Sequence, residues 1–281
     1  MSRVHFVARG ARPNMGARRK YPHFAFADKP ARKTSAEIAR GSVGFVRTRI
    51  FELYMLIISA LMGAVILLYL RWTKKPREVR WFLRLWSTSF IYGARVIVGV
   101  RFRLDGLENI PDQPVIFVGN HQTYWESIAM TVFVPHINVV TKRAAMEIPV
   151  FGWGLRHAPM TPIDRDTPGK NLRRMLKQGR ASVREGRSLL IYPEGGRVPP
   201  GEHRAFSRGL GPLYRHCECD VVPFVTNAGL HWPSGFQTKH PGVITIRFFP
   251  PIPPGTGARE FTRDIENLLN TEKDKLATGT A

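Results

Sequence analysis

Cysteine is almost absent from the chain: Cys217 and Cys219 are the only two. A bridge across one intervening residue would be badly strained, and no second pair completes a zinc site. Neither a disulfide framework nor a bound metal is therefore expected, and a reduced compartment is the simple reading. Acidic residues are also scarce, 21 against 42 Lys and Arg, of which 31 are Arg. The resulting net charge of +21 directs the chain toward phosphate, whether on nucleic acid, an anionic membrane surface or a substrate. No internal repeat is visible. A hydrophobic fraction of 43% with 11% aromatics excludes wholesale disorder, a collagen-like chain and a coiled coil. The length of 281 residues is enough for one good core and an added membrane element.

Acids are scarcest at the start. Residues 1–52 hold 12 basic and 3 acidic residues, with none of the acids before Asp28, and carry Pro13, Pro22 and Pro30. This reads as a basic, disordered tail, although a transit peptide or a nucleic-acid-binding arm shares that composition. Leu53–Leu70 then runs for 18 residues without a charge. As a helix it extends roughly 27 Å, close to the hydrocarbon thickness of a bilayer. Tyr54, Tyr69 and Trp72 stand where amphipathic rings favour the interface. A membrane anchor is expected, against the alternative of a buried core helix. Arg71, Lys74, Lys75, Arg77, Arg80 and Arg84 outnumber Arg40, Arg47 and Arg49 on the other flank, which places the C-terminal side in the cytoplasm. A hairpin dipping into one leaflet is a second topology. Over Arg77–Val98, aromatic and aliphatic residues recur at helical spacing between arginines. That suits a helix in the headgroup layer or one packed on the domain's own core.

From residue 99 onward the pattern is α/β. The runs Val115–Val118, Ile137–Thr141, Ser188–Tyr192, Val221–Thr226 and Val243–Phe249 have the length of buried strands. Pro168–Glu185 and Ala258–Asn270 read as amphipathic helices between and after them. The expected division is a tail (1–52), an anchor with an interfacial helix (53–98) and a helix-covered, mixed but mostly parallel sheet (99–281).

Four blocks carry chemistry. In the first, Asn120-His121 follows the strand VIFV, and Glu126 lies five residues on, near the start of a helix. Ligands of open α/β sheets bind at the C-terminal ends of strands. There a carboxylate that fixes the imidazole tautomer leaves the other ring nitrogen to take a proton from an alcohol. Local capping of the backbone is the plainer reading of the same pair. The second block is Lys142, Ile148-Pro149-Val150-Phe151-Gly152 and Asp164-Arg165, with Lys142 and Arg165 as anion-binding candidates or surface charges. The third is Tyr192-Pro193-Glu194-Gly195-Gly196-Arg197. Its glycines let backbone amides approach a ligand, and its Arg offers a planar fork for phosphate, although glycine turns before arginine are common. The fourth, Val222-Pro223-Phe224-Val225, is a core strand near a site wall.

Together these blocks resemble the glycerolipid acyltransferases, in particular the bacterial-type 1-acyl-sn-glycerol-3-phosphate acyltransferases. The resemblance covers about residues 100–253, with four blocks in the family's order. Glu126 stands where the family usually has Asp, and Gly196 where it usually has Thr. The resemblance implies His121 and Glu126 as the catalytic pair, and Lys142, Arg165, Glu194, Gly195, Gly196 and Arg197 around the substrate phosphate. The acceptor implied is lysophosphatidic acid, acylated at its sn-2 hydroxyl to give phosphatidic acid. Acyl-CoA or acyl carrier protein is the donor, with no metal or other cofactor. The implied setting is an anionic bacterial inner membrane with the catalytic domain on the cytoplasmic side, and no nucleic acid is expected as a partner. Another lysolipid or glycerol-3-phosphate is the alternative acceptor. A non-catalytic protein binding anionic lipid or nucleic acid is the alternative class.

Overall fold

Apolar side chains that alternate along short strands fill two layers, one on each face of a single sheet. The computed structural model describes residues 41–73, 80–134, 136–147, 152, 155–156, 160–163 and 168–279. The strands are β1 (Val100–Asp105), β2 (Ile116–Gly119), β3 (Asn138–Lys142), β4 (Met160–Ile163), β5 (Leu189–Ile191), β6 (Val221–Thr226) and β7 (Gly242–Phe248). Their spatial order is β1-β7-β6-β2-β5-β3-β4, and β6–β7 is the one antiparallel pairing. The α/β expectation holds, and the five anticipated strands are present to within a residue or two. β1 and β4 at the two edges are additions.

The helices are α1 (Gly41–Thr73), α2 (Arg80–Gly93, continued by a π-helical turn Ala94–Val98), α3 (Trp125–Phe133), α4 (Pro168–Arg184), α5 (Leu210–Cys217), α6 (Ala228–His231) and α7 (Ala258–Thr278). Phe117 of β2 joins Val222 and Phe224 of β6 under α2 and α3, whereas Ile116 and Val118 join Val221 and Val225 under α5 and α7. This is the period-two alternation of a sheet covered on both faces. The final helix reaches Thr278, beyond the Asn270 expected, because Leu276 extends the apolar stripe of Phe261, Ile265 and Leu269.

The N-terminal expectation needs two corrections. Residues 41–52, assigned above to the tail, are the first turns of α1; residues 1–40 lie outside the described residues. Nor is the 53–98 segment a separate unit. Phe51 of α1 meets the ring of Trp232 at 5.1 Å and that of Phe90 at 5.4 Å, in edge-to-face contacts within the domain's own core. Thr48 Oγ1 accepts the Lys239 N–H at 2.9 Å, and Arg49 donates to the Phe236 carbonyl at 3.1 Å. Further along, Tyr54 OH donates to the Ser89 carbonyl, Trp86 Nε1 donates to Ser59 Oγ, and Tyr69 packs on Phe82. The partners on α2 fall in number as those on α1 rise, so the two helices form an antiparallel hairpin. Phe82, Phe90 and Ile91 face inward from α2 while Leu85 and Tyr92 face out, so this helix packs on the domain's own core, the second of its two expected roles.

Gly119 closes β2 against a ring: a Cβ there would lie 2.2 Å from Cζ of Phe224. Replacing Gly119 with Ala therefore overpacks the core directly before Asn120 and His121. A destabilisation of about 1–3 kcal/mol is expected, read as a lower thermal midpoint of the full-length protein in detergent.

Candidate active site

β2, β5, β3 and β6 run parallel, so their C-terminal ends share one edge of the sheet. The link from β2 to α3 begins with Asn120, whose side-chain amide continues the ladder to β6. Its Nδ2 donates to the Thr226 carbonyl at 3.0 Å, and its Oδ1 accepts the Thr226 N–H at 2.8 Å. The chain then curls around one carboxylate. Oε1 of Glu126 accepts from His121 Nδ1 at 2.8 Å, from Gln122 N at 2.8 Å and from Thr123 N at 2.7 Å. Oε2 accepts from Thr123 Oγ1 at 2.7 Å, and that hydroxyl accepts the Trp125 N–H in turn. Glu126 is fully buried in the first turn of α3, where the helix dipole favours a negative charge. The extra methylene relative to Asp is thus taken up by a short, fully bonded turn.

This geometry sets the histidine. A carboxylate surrounded by donors takes Nδ1 as N–H, so Nε2 carries the lone pair that can accept a proton. The imidazole is about one-fifth exposed and stacks on Tyr192 at 4.2 Å between ring centroids. Burial raises the Tyr192 phenol well above its ordinary value, and its oxygen accepts from Ser127 Oγ. The imidazole is held by Glu126 at one nitrogen and by a flat ring on one face.

Glu194 departs from its expected place. Both oxygens of this buried carboxylate turn inward: Oε2 accepts the His121 backbone N–H at 2.7 Å, and Oε1 accepts from Lys273 Nζ at 3.2 Å. An anion so engaged holds the backbone of His121 and does not face the glycine turn as a phosphate ligand. Burial raises its carboxyl, while the His121 amide and Lys273 act in the opposite direction.

The other candidates divide by position. Gly195 takes a left-handed φ of 67° and is exposed, Gly196 is buried, and Arg197 is exposed within electrostatic reach of Tyr124. A Cβ on Gly196 would meet Nη1 of Arg204 at 2.8 Å, so the missing side chain leaves room for a second guanidinium at this turn. Lys142 ends β3 on the same sheet edge. Arg165, with Asp164 and residues 148–151, lies outside the described residues. Burial pushes the Cys217 thiol up to about 11 and that of Cys219 up to about 12, which makes both poor nucleophiles. No group of three potential metal ligands occurs among the described residues.

Several participants were not anticipated. Gln122, Thr123, Tyr192 and Arg204 sit in or beside the recognised blocks, and Thr123 bore a signal as a hydroxyl just before a helix. Lys273 bore a subtler one, as a cation falling on the apolar stripe of α7, four residues after Leu269 and three before Leu276.

An acyltransferase family model matches residues 101–227, from β1 to just past β6. A 1-acyl-sn-glycerol-3-phosphate acyltransferase of Pseudomonas aeruginosa is 36% identical over 167 residues, covering 59% of this chain and 65% of that protein. A protein of the same description from Chlamydomonas reinhardtii is 28% identical over 202 residues, 68% of this chain and 57% of the relative. The matches thus span less than two thirds of either relative. The crystal structure of the 1-acyl-sn-glycerophosphate acyltransferase from Thermotoga maritima shares the fold. Its TM-score is 0.67 at 19% identity, over 83% of this chain and 97% of that one. Through residues 101–227, the chain is similar to the acyltransferase family.

Proposed function

We propose that the protein transfers an acyl group from a thioester, acyl-CoA or acyl carrier protein, to the sn-2 hydroxyl of lysophosphatidic acid, giving phosphatidic acid. The observation that carries this reading is the 2.8 Å contact between His121 Nδ1 and a fully buried Glu126, which directs Nε2 toward a substrate alcohol. His121 Nε2 takes the hydroxyl proton as the oxygen attacks the thioester carbonyl. The Gly195 N–H is bonded to the Tyr192 carbonyl, so the amides this turn offers to the tetrahedral oxyanion are those of Gly196 and Arg197. Collapse expels the thiolate, which recovers the proton from His121, while Glu126 stabilises the transient imidazolium. Arg197, Arg204, Lys142 and Arg165 are the cations assigned to the acceptor's phosphate.

The same reading gives the hairpin its role. Val43–Tyr69 is long and apolar enough to cross a membrane. Yet α1 is fastened to the domain at Thr48 and Phe51, and the chain returns to the domain through α2. The connection between them carries Lys74, Lys75 and Arg77, charges that are costly in hydrocarbon. These constraints favour a hairpin lying in the headgroup layer of the inner membrane's cytoplasmic leaflet. Its exposed face, including Leu56, Leu67 and Leu68, would be in lipid and its basic end among phosphates. The site then meets both amphiphilic substrates at one surface.

Purified protein incubated with lysophosphatidic acid, other lysolipids and glycerol-3-phosphate, each with either donor, tests the reaction by product mass. His121→Ala is expected to abolish transfer while the protein still sediments with membranes; wild-type turnover by this variant would refute the mechanism. Glu126→Gln is expected to lower kcat by about a hundredfold or more, because an amide cannot accept from all the donors that Glu126 satisfies. Arg197→Ala is expected to raise KM for lysophosphatidic acid by about tenfold with kcat little changed, the pattern of lost ground-state binding in a steady-state assay. Leu56→Asp combined with Leu67→Asp is expected to lower partition onto anionic vesicles, measured by flotation; an unchanged partition would rule out this face as the lipid contact.

A further inference from the structure

We propose that Lys273, on the last helix and outside the residues matched by the acyltransferase model, is a positioning residue for the His121 base, acting through the Glu194 carboxylate and the His121 backbone amide. The inference rests on the acyl-transfer reading above and adds a component from another part of the chain.

The side chains of Lys273 and Glu194 are 4% and 2% exposed and 3.2 Å apart. Burying two charges is costly unless they are paired and hydrogen-bonded, and an apolar pair of similar size is commonly as stable or more so. An aliphatic residue at 273 would simply continue the stripe of Phe261, Ile265, Leu269 and Leu276. Stability alone therefore gives little reason for a lysine there, whereas its contacts lead directly to the base. Nζ donates to Glu194 Oε1 and, at 2.9 Å, to the Glu202 carbonyl. The other Glu194 oxygen holds the His121 N–H, and the Val198 N–H donates to the His121 carbonyl at 2.7 Å. The peptide groups on both sides of His121 are thus fixed by residues 194–198, and Lys273 ties that segment to α7. Glu126 orients the ring, and the Lys273–Glu194 pair fixes the backbone from which the ring projects.

Loss of the ammonium has a signed consequence. The charged or titratable groups facing Glu194 are Lys273 and the His121 ring. Glu126 lies beyond that ring, and an exposed His203–Asp274 pair at 2.9 Å joins the same loop to the same helix. Burial already raises the Glu194 carboxyl, and Lys273 opposes the rise. Without Lys273 the carboxyl takes up a proton at higher pH and accepts the His121 N–H more weakly. Activity should then be lost as pH falls and recovered as pH rises.

The test compares full-length wild type with Lys273→Met, Lys273→Gln, Lys273→Arg, Glu194→Gln and the Lys273→Met/Glu194→Gln double variant, in mixed micelles of detergent and lysophosphatidic acid. Lys273→Met is expected to lower kcat by about tenfold to a hundredfold, the scale of a small misplacement of a catalytic group. KM should stay within about twofold, as for an interaction felt mainly in the transition state. The acid limb of its kcat–pH profile should move to higher pH, Lys273→Arg should recover most of kcat, and Lys273→Met should move no limb in the Glu194→Gln background. A merely structural loss lowers the active fraction and leaves the limb in place. Wild-type kcat in Lys273→Met, or a lowered kcat with an unmoved limb, would overturn the inference. Lys273→Gln carries the same two readouts if the Met variant does not fold; if neither folds, the role is structural and the inference fails. Turnover by His121→Ala would instead defeat the proposed reaction, whereas an inactive His121→Ala beside an unaltered Lys273→Met defeats only the role of Lys273.

Discussion

A carboxylate cut off from water has to be surrounded by donors, and Glu126 obtains four hydrogen bonds from the three residues His121, Gln122 and Thr123. Meeting that requirement dictates the local structure. Two consecutive amides must point at one oxygen, so the chain curls immediately after β2. The Thr123 hydroxyl must serve both the carboxylate and the Trp125 amide, so α3 starts where it does. The imidazole supplies one of the four donors, which fixes its tautomer. Satisfying a buried charge and orienting an imidazole are here one arrangement, and the orientation of α3 over the sheet follows from it.

Much of this was legible because it is local. His121 and Glu126 are five residues apart, and the strand before them was visible as an apolar run. The five interior strands could be read for the same reason: both faces are covered, so each contains a short apolar run. The edges were not legible. β1 alternates Arg101 and Arg103 with Phe102 and Leu104, which hides a strand among charges, and β4 contains Pro162, which an edge strand tolerates. Glu194 and Lys273 are 79 residues apart, and no local pattern announces such a pairing. Glu194 was therefore grouped with its neighbours Gly195 and Arg197, although its side chain points the other way.

The charge excess also looks different with the fold in hand. A count of +21 treats every lysine as a surface cation, but among the described residues two are internal. Lys273 holds Glu194. Lys239 is buried with its ammonium on the Pro233 and Gly235 carbonyls and its amide on Thr48, so it acts as a rivet between a loop and α1. Desolvation lowers this ammonium to about 8. Both lysines serve polar groups that burial would otherwise leave unpaired, whereas Arg197 and Arg204 of the glycine turn stand exposed.

The docking of α1 onto that loop joins residues 191 positions apart, Thr48 and Lys239. A ribosome makes the apolar helix long before it makes Trp232 and Lys239, the groups that cover its inner face. At ordinary elongation rates the interval is about 10–40 s. During that time Phe51 has Phe90 of α2 as an aromatic partner but not yet Trp232. The order of synthesis therefore lets α1 and α2 pair with each other before the sheet, which cannot close until β7 pairs with β1, is there to receive them.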